Sequence, residues 1–246
     1  DGNVIDHSPQ LKVIGRTGVG FDTVDVKRAT ERGIPVVITP GANNRSVAEH
    51  TLALIFALSK DLINAHLGIQ QGNWEIRSAK RSFELQGKTV GILGMGAIGR
   101  DVANLCRAVG MNPIGYDPFV SSDIFTQSGT ARCETLPDLL QKSDILTIHM
   151  PLTADTKNMI SHKELALMKP SALLINCSRG GIVNETALTE ALTEGTIAGA
   201  ATDVFCTEPP TPDDPLLHCP NMILTPHSAA QTREAVIHMA NMCVDG

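Results

Sequence analysis

The feature that most limits what this chain can become is a glycine triplet set between two regular elements. Residues 88–94 read as an apolar strand, Gly94-Met95-Gly96-Ala97-Ile98-Gly99 follows at once, and a helix opens over 97–109. A strand, a glycine turn and a helix in that order aim backbone amides and the positive end of the helix at one point, the arrangement that holds a pyrophosphate. Gly94, Gly96 and Gly99 take the turn, close-approach and helix-packing positions, with Ala97 and Ile98 between them. Asp117 ends the next strand, 113–117, roughly 20 residues beyond the first glycine, where a carboxylate accepts hydrogen bonds from a ribose diol. A carboxylate there repels a 2′-phosphate, and residues 118–122 bring no Arg or Lys, so the site is expected to prefer NAD to NADP.

The rest of the chain continues the alternation. A weak strand near 131–133 and strands at 144–149, 172–177, 196–203 and 222–225 are interleaved with helices at 161–168 and 184–194. That pattern predicts an α/β fold with a doubly wound, mostly parallel sheet of Rossmann type. The first 45 residues give one βαβ unit, with a strand over 11–15, a helix over 24–32 and a strand over 36–39, too little to stand as a sheet alone. A long helix is expected over 46–66, with Ser46 and Glu49 in capping-box positions. Its apolar residues cover more faces than one sheet can bury, which predicts a homodimer or a dimer of dimers through this helix.

Composition narrows the partners. Across 246 residues, 26 acidic against 20 basic side chains give a net charge of −6 with no basic block, which argues against nucleic acid or an anionic membrane. The longest apolar run, 52–58, is far short of the roughly 20 residues a bilayer span requires. Six cysteines form no CxxC pair and no zinc spacing, so free thiols in a reducing cytoplasm, and no metal, are expected. No secretory leader precedes the first strand, and the opening Asp1 leads to the expectation that the true N-terminus lies further upstream.

In an open parallel sheet, ligands sit beyond the carboxyl ends of the strands, so the residues just after each strand are the candidates for chemistry. Arg179 follows strand 172–177 beside Gly180 and Gly181, Glu208 follows strand 196–203 in a loop stiffened by Pro209 and Pro210, and His227 follows strand 222–225. A guanidinium fork, a carboxylate and an imidazole above one sheet edge suit hydride transfer to a 2-oxo acid. Arg179 would hold the substrate carboxylate and polarise its carbonyl, His227 would act as acid and base, and Glu208 would orient His227. His149 is expected to be structural, its backbone lining the cleft. His50, His66, His162, His218 and His238 have no partners at metal-ligand spacing and are read as structural or surface groups.

These motifs together resemble the D-isomer-specific 2-hydroxyacid dehydrogenases over essentially the whole chain. The likeness rests on residues 94–99 with Asp117, on Asn176-Cys177-Ser178-Arg179-Gly180-Gly181-Ile182-Val183, on Asp203-Val204-Phe205 with Glu208-Pro209, and on Thr225-Pro226-His227. It implies that Arg179, Glu208 and His227 are the catalytic trio. It also implies that Asp203 and the backbone of Cys177 and Ser178 approach the nicotinamide, where Arg179, His227 and Ala230 join them, and that Met150 and Pro151 flank the adenosine. The family's two-domain plan implies a partial flavodoxin-like substrate domain at 1–44, a dinucleotide-binding domain at 45–230 and the start of a return segment at 231–246. Within the family, residues 12–22 look most like the 3-phosphoglycerate dehydrogenases, which implies substrate contacts from Val19 and Gly20 and from Arg16 to a distal anion. The sequence Ser228-Ala229-Ala230-Gln231 departs from that branch, so glyoxylate, hydroxypyruvate and sulfolactate stay open as substrates. A dinucleotide-sensing corepressor, which would keep the same trio, is the alternative of another class.

Overall fold

The computed structural model describes residues 1–79 and 82–246. These divide into two compact units, Asp1–Ser46 with Ala230–Gly246, and Val47–Ala229. In the first unit α1 (Gly2–Asp6), β1 (Ile14–Gly15), α2 (Val26–Glu31) and β2 (Val36–Val37) follow in order, and β1 pairs in parallel with β2 through Ile14 opposite Val36. Asp25 caps α2 by accepting from the Arg28 amide, and Gly33 closes the connection with a φ of 64°. The core of this unit is small: Ile5, Ala29 and Ile34, with Leu11, Ile14 and Val36 packed on it.

The long helix expected over 46–66 is two helices, α3 (Asn44–Ser59) and α4 (Leu62–Gln70), inclined at 60° to each other. The break falls at Lys60 and Asp61. Asp61 takes a left-handed φ of 52°, which cannot continue a right-handed helix, and its Oδ1 accepts from Asn64 Nδ2 at 2.6 Å. Lys60 Nζ donates to the Phe83 carbonyl at 2.8 Å, so its charge leaves the helix axis to hold the following segment. Because α3 begins two residues before Ser46, Ser46 lies inside the first turn and is not its cap. Among the described residues no single helix is long and apolar enough to cross a membrane.

From residue 89 the order is β3 (Thr89–Leu93), α5 (Ala97–Ala108), β4 (Asn112–Tyr116), α6 (Ser122–Gln127), β5 (Ala131–Arg132), α7 (Leu136–Lys142), β6 (Ile145–Ile148), α8 (His162–Leu165), β7 (Leu173–Asn176), α9 (Glu185–Glu194), β8 (Gly199–Thr202) and β9 (Met222–Leu224). The strands form one parallel sheet in the order β5-β4-β3-β6-β7-β8-β9. β6, β7 and β8 are buried throughout and β3 after its first residue, as expected of central parallel strands covered on both faces. Strand 196–203 is shorter than the sequence indicates because α9 ends in a left-handed Gly195 and the Thr196 amide returns to the Ala191 carbonyl, which leaves only Gly199–Thr202 to pair. In the first unit the C-terminal residues form α10 (Arg233–Asp245), capped by Thr232.

Candidate active site

The sheet changes winding direction between β3 and β6, so the crevice beyond their carboxyl ends is the natural ligand site. The three glycines there have different physical tasks. Gly94 has a φ of 99°, and a Cβ on it would lie 2.5 Å from the His149 carbonyl oxygen, so both conformation and space exclude a side chain. A Cβ on Gly99 would overlap the Gly94 carbonyl, which sets how closely α5 packs on the turn. At Gly96 a Cβ would meet nothing within 4 Å, and this residue is the N-cap of α5 with no side chain capping the helix. Open ground in front of an uncapped 12-residue helix fits a dinucleotide pyrophosphate.

Asp117 stands where the sequence places it, just past β4. Its Oδ2 accepts from the Met95 amide and its Oδ1 from the Phe119 amide, both at 2.9 Å, so the carboxylate is fixed beside the glycine turn with lone pairs remaining for a diol. Met150 and Pro151 follow β6; Met150 is buried, and Thr156 Oγ1 donates to the Pro151 carbonyl at 2.7 Å and holds that loop. Burial pushes the Cys177 thiol up to about 12, so it stays protonated near neutral pH and offers a ligand only its backbone. Ser178 donates through both its amide and its hydroxyl to Asn176 Oδ1, an Asx-type turn that shapes the Arg179 loop.

Arg179 and Glu208 reach the same region through one close approach. A Cβ on Gly180 would overlap the Phe205 carbonyl, so only glycine lets the Arg179 loop lie against the loop that carries Glu208. Arg179 Nη1 donates to the Ser178 carbonyl at 2.7 Å, and Asn176 Nδ2 donates to the Arg179 carbonyl at 3.0 Å. Glu208 uses its two oxygens differently: Oε1 accepts from the Phe205 amide at 3.0 Å, and Oε2 lies 2.7 Å from His227 Nδ1. That geometry puts the Nδ1 proton on the carboxylate side and leaves Nε2 to hold or give a proton. His227 itself has a left-handed φ of 51°, sparsely populated for a residue with a side chain and tolerated where the surroundings over-determine it.

The determinants are in Asp203, fully buried past β8. Its Oδ1 accepts from Thr225 Oγ1 at 2.6 Å and from the Ser228 amide at 2.9 Å, and its Oδ2 from the Ala229 amide at 2.9 Å, so one carboxylate ties both ends of the turn that bears His227. His50, read from the sequence as a structural or surface histidine with no partner at metal-ligand spacing, lies with Nε2 3.1 Å from Thr225 Oγ1 and 3.6 Å from Asp203 Oδ1. No local spacing signals this contact, because the partners are far apart in the chain. His149 is held by Thr147 Oγ1 at 2.8 Å, and desolvation pushes its pKa down to about 3, so it is neutral. Arg16, Val19, Gly20 and Ala230 belong to the other unit; there Arg16 folds onto its own loop, donating to the Gly20 and Thr17 carbonyls at 3.1 Å each. Among the described residues no group of His, Cys, Asp or Glu is arranged to hold a metal.

Comparison with known proteins yields one family. The sequence profile of the D-isomer specific 2-hydroxyacid dehydrogenase NAD binding domain matches residues 52–229. The D-3-phosphoglycerate dehydrogenase of Methanocaldococcus jannaschii is 45% identical over 233 residues, covering 95% of this chain and 44% of that protein. The glyoxylate reductase of Aeropyrum pernix is 42% identical over 251 residues, covering the whole chain and 75% of that protein. An NAD-dependent formate dehydrogenase from Staphylococcus aureus, solved in complex with NAD, superposes with a TM-score of 0.89 at 33% identity over all of this chain and 73% of its own. The chain spans under half the length of the curated D-3-phosphoglycerate dehydrogenases it matches, 42–45%.

Proposed function

This chain belongs to the D-isomer specific 2-hydroxyacid dehydrogenase family, and from that membership we propose that it transfers a hydride between NAD and C2 of a short D-2-hydroxy acid. The observation that carries this reading is the 2.7 Å pairing of His227 Nδ1 with Glu208 Oε2 beyond the carboxyl ends of β8 and β9. The amides at the start of α5 and the Asp117 carboxylate would hold the dinucleotide, and bound NAD would accept or supply the hydride. Arg179 binds the substrate carboxylate with its planar fork and draws charge from the neighbouring carbonyl. In reduction His227 Nε2 gives its proton to the oxygen that becomes the hydroxyl; in oxidation neutral His227 takes that proton back. Glu208 keeps the ring oriented.

For the substrate we infer 3-phosphoglycerate and its 2-oxo partner, 3-phosphohydroxypyruvate, which places the reaction in serine biosynthesis. The support is the run of D-3-phosphoglycerate dehydrogenases among the relatives. Reduction of glyoxylate is the second reading, favoured by the whole-chain match to the Aeropyrum pernix enzyme. A second copy of the chain is the proposed partner, because α4 and the following turn leave Leu62, Ile63, Leu67, Ile69 and Trp74 between 46% and 65% exposed. Six free cysteines, three of them buried, support a reducing cytoplasmic setting. NADH oxidation against 3-phosphohydroxypyruvate, hydroxypyruvate, glyoxylate, sulfopyruvate and pyruvate, ranked by kcat/KM, tests the reading. The phosphorylated acid should rank first; glyoxylate at the head would keep the chemistry and change the substrate, and no turnover with any would overturn the dehydrogenase assignment. Light scattering at micromolar protein should give a dimer, and a monomer there removes the proposed self-association.

A further inference from the structure

We propose that His50 is a positioning residue that locks the turn carrying His227, acting through Thr225 and Asp203. Its catalytic consequence rests on the dehydrogenase reading above, whereas the lock itself does not. A threonine hydroxyl has a single proton, and Thr225 Oγ1 directs it to Asp203 Oδ1 at 2.6 Å. Thr225 can therefore only accept from His50 Nε2, 3.1 Å away, which places a proton on that nitrogen and orders a chain of donors from His50 to Thr225 to Asp203. Asp203 is fully buried, and its other bonds go to the amides of Ser228 and Ala229.

The chain therefore closes around the turn. Thr225 lies before His227 and Ser228 and Ala229 lie after it, and all three are bonded to one carboxylate. His50 comes from α3, a different element, and is the group that gives the Thr225 hydroxyl its donor and sets an imidazole 3.6 Å from the buried carboxylate. Removing it takes away the donor to that hydroxyl and leaves Asp203 with one neighbour fewer. The strained φ of 51° at His227 then loses part of what holds it, and the 2.7 Å register with Glu208 loosens.

The test compares the protein with its His50→Ala and His50→Gln variants, glutamine being able to set an amide nitrogen close to where Nε2 stands. Residue-resolved hydrogen exchange of the Ser228 and Ala229 amides is read first. His50→Ala should speed exchange at these two amides about 10-fold, with the β3 and β6 amides unchanged, and His50→Gln should restore protection. In turnover, His50→Ala should lower kcat on the order of 10- to 100-fold with the KM for NADH within about threefold, and His50→Gln should recover most of the loss. Unchanged exchange at both amides in folded His50→Ala overturns the proposal, and so does an equal rise across the β3 and β6 amides, which would mark general loosening. If His50→Ala does not fold, Thr225→Val removes the same link and must give the same local rise; protection retained in that variant also overturns it. A wild-type protein that turns over no oxo acid defeats the dehydrogenase reading alone, because the exchange result still decides the lock.

Discussion

At His227 a ring nitrogen is hydrogen-bonded to a carboxylate, the backbone is left-handed, and both ends of its turn are tied to a buried aspartate. Replacing it by alanine should lower kcat about 10²- to 10⁴-fold while fluorescence titration shows NADH affinity nearly unchanged, since general acid–base help acts only in the chemical step. Equal loss of NADH binding would make His227 a structural residue. Asp117 gives the converse case. Asp117→Ala removes a charge that repels a 2′-phosphate, so the ratio of Kd values for NADPH and NADH should fall toward one, with NADH itself bound more weakly; an unchanged ratio removes Asp117 from the ribose site. The positions of Arg179, Glu208, His227 and Asp117 beyond strand ends were legible in the sequence, because each lies in the segment that follows a strand, where topology predicts a ligand. The Thr225, Asp203 and His50 assembly was not, because it joins α3 to two strand ends that come together only when the sheet is built.

The element that shapes the cofactor side is α5 with the turn before it, where glycines separate packing from binding. Gly99→Ala forces a Cβ into the Gly94 carbonyl, so α5 must move away from the turn, and a loss of about 1–3 kcal/mol in urea unfolding is expected. Gly96→Ala meets no atom within 4 Å, so unfolding should change little while NADH affinity falls at least about 10-fold, the methyl group standing where a phosphate would approach. Equal effects of the two substitutions on stability would show that Gly96 is a packing glycine as well. Strand and helix types from residue 88 onward followed from period and length, yet α6, α7 and α10 did not. The first two are six and seven residues long, and α7 carries Pro137 in its first turn, so neither displays a full helical period. The corner between α3 and α4 was also hidden, because apolar periodicity runs on through Asp61 and only its left-handed backbone reveals the break.

For the whole molecule, the two units differ in how much they bury: Asp1–Ser46 with Ala230–Gly246 has a small core clustered on Ile5, Ala29 and Ile34, with Ala235 and Met239 of α10 also buried, whereas Val47–Ala229 is organised around the seven-stranded sheet. The sheet also carries the groups that make folding depend on acidity. His149 follows β6, and burial pushes its pKa from 6.5 down to about 3, so the folded protein keeps it neutral while the unfolded chain protonates it below about pH 6.5. Acidification through that window therefore draws protons into the unfolded state, and stability falls as pH falls, by up to about 1.4 kcal/mol per pH unit, and levels off above the unfolded pKa. Asp144 adds to this lower down. Burial alone would raise its pKa, but the hydrogen bond from Lys169 Nζ at 2.8 Å and that from the Thr89 amide outweigh it, so its contribution is present above the ordinary carboxylate pKa and is lost as pH drops through the depressed one. Urea unfolding at pH 7, 6 and 5 separates the two, because only His149 titrates in that range. The wild-type protein should lose stability steadily from pH 6 to 5 beyond any loss in His149→Gln, which keeps a partner for Thr147 but cannot take up a proton. Parallel curves for the two proteins would mean that His149 is protonated in the folded state and that the space behind β6 admits charge.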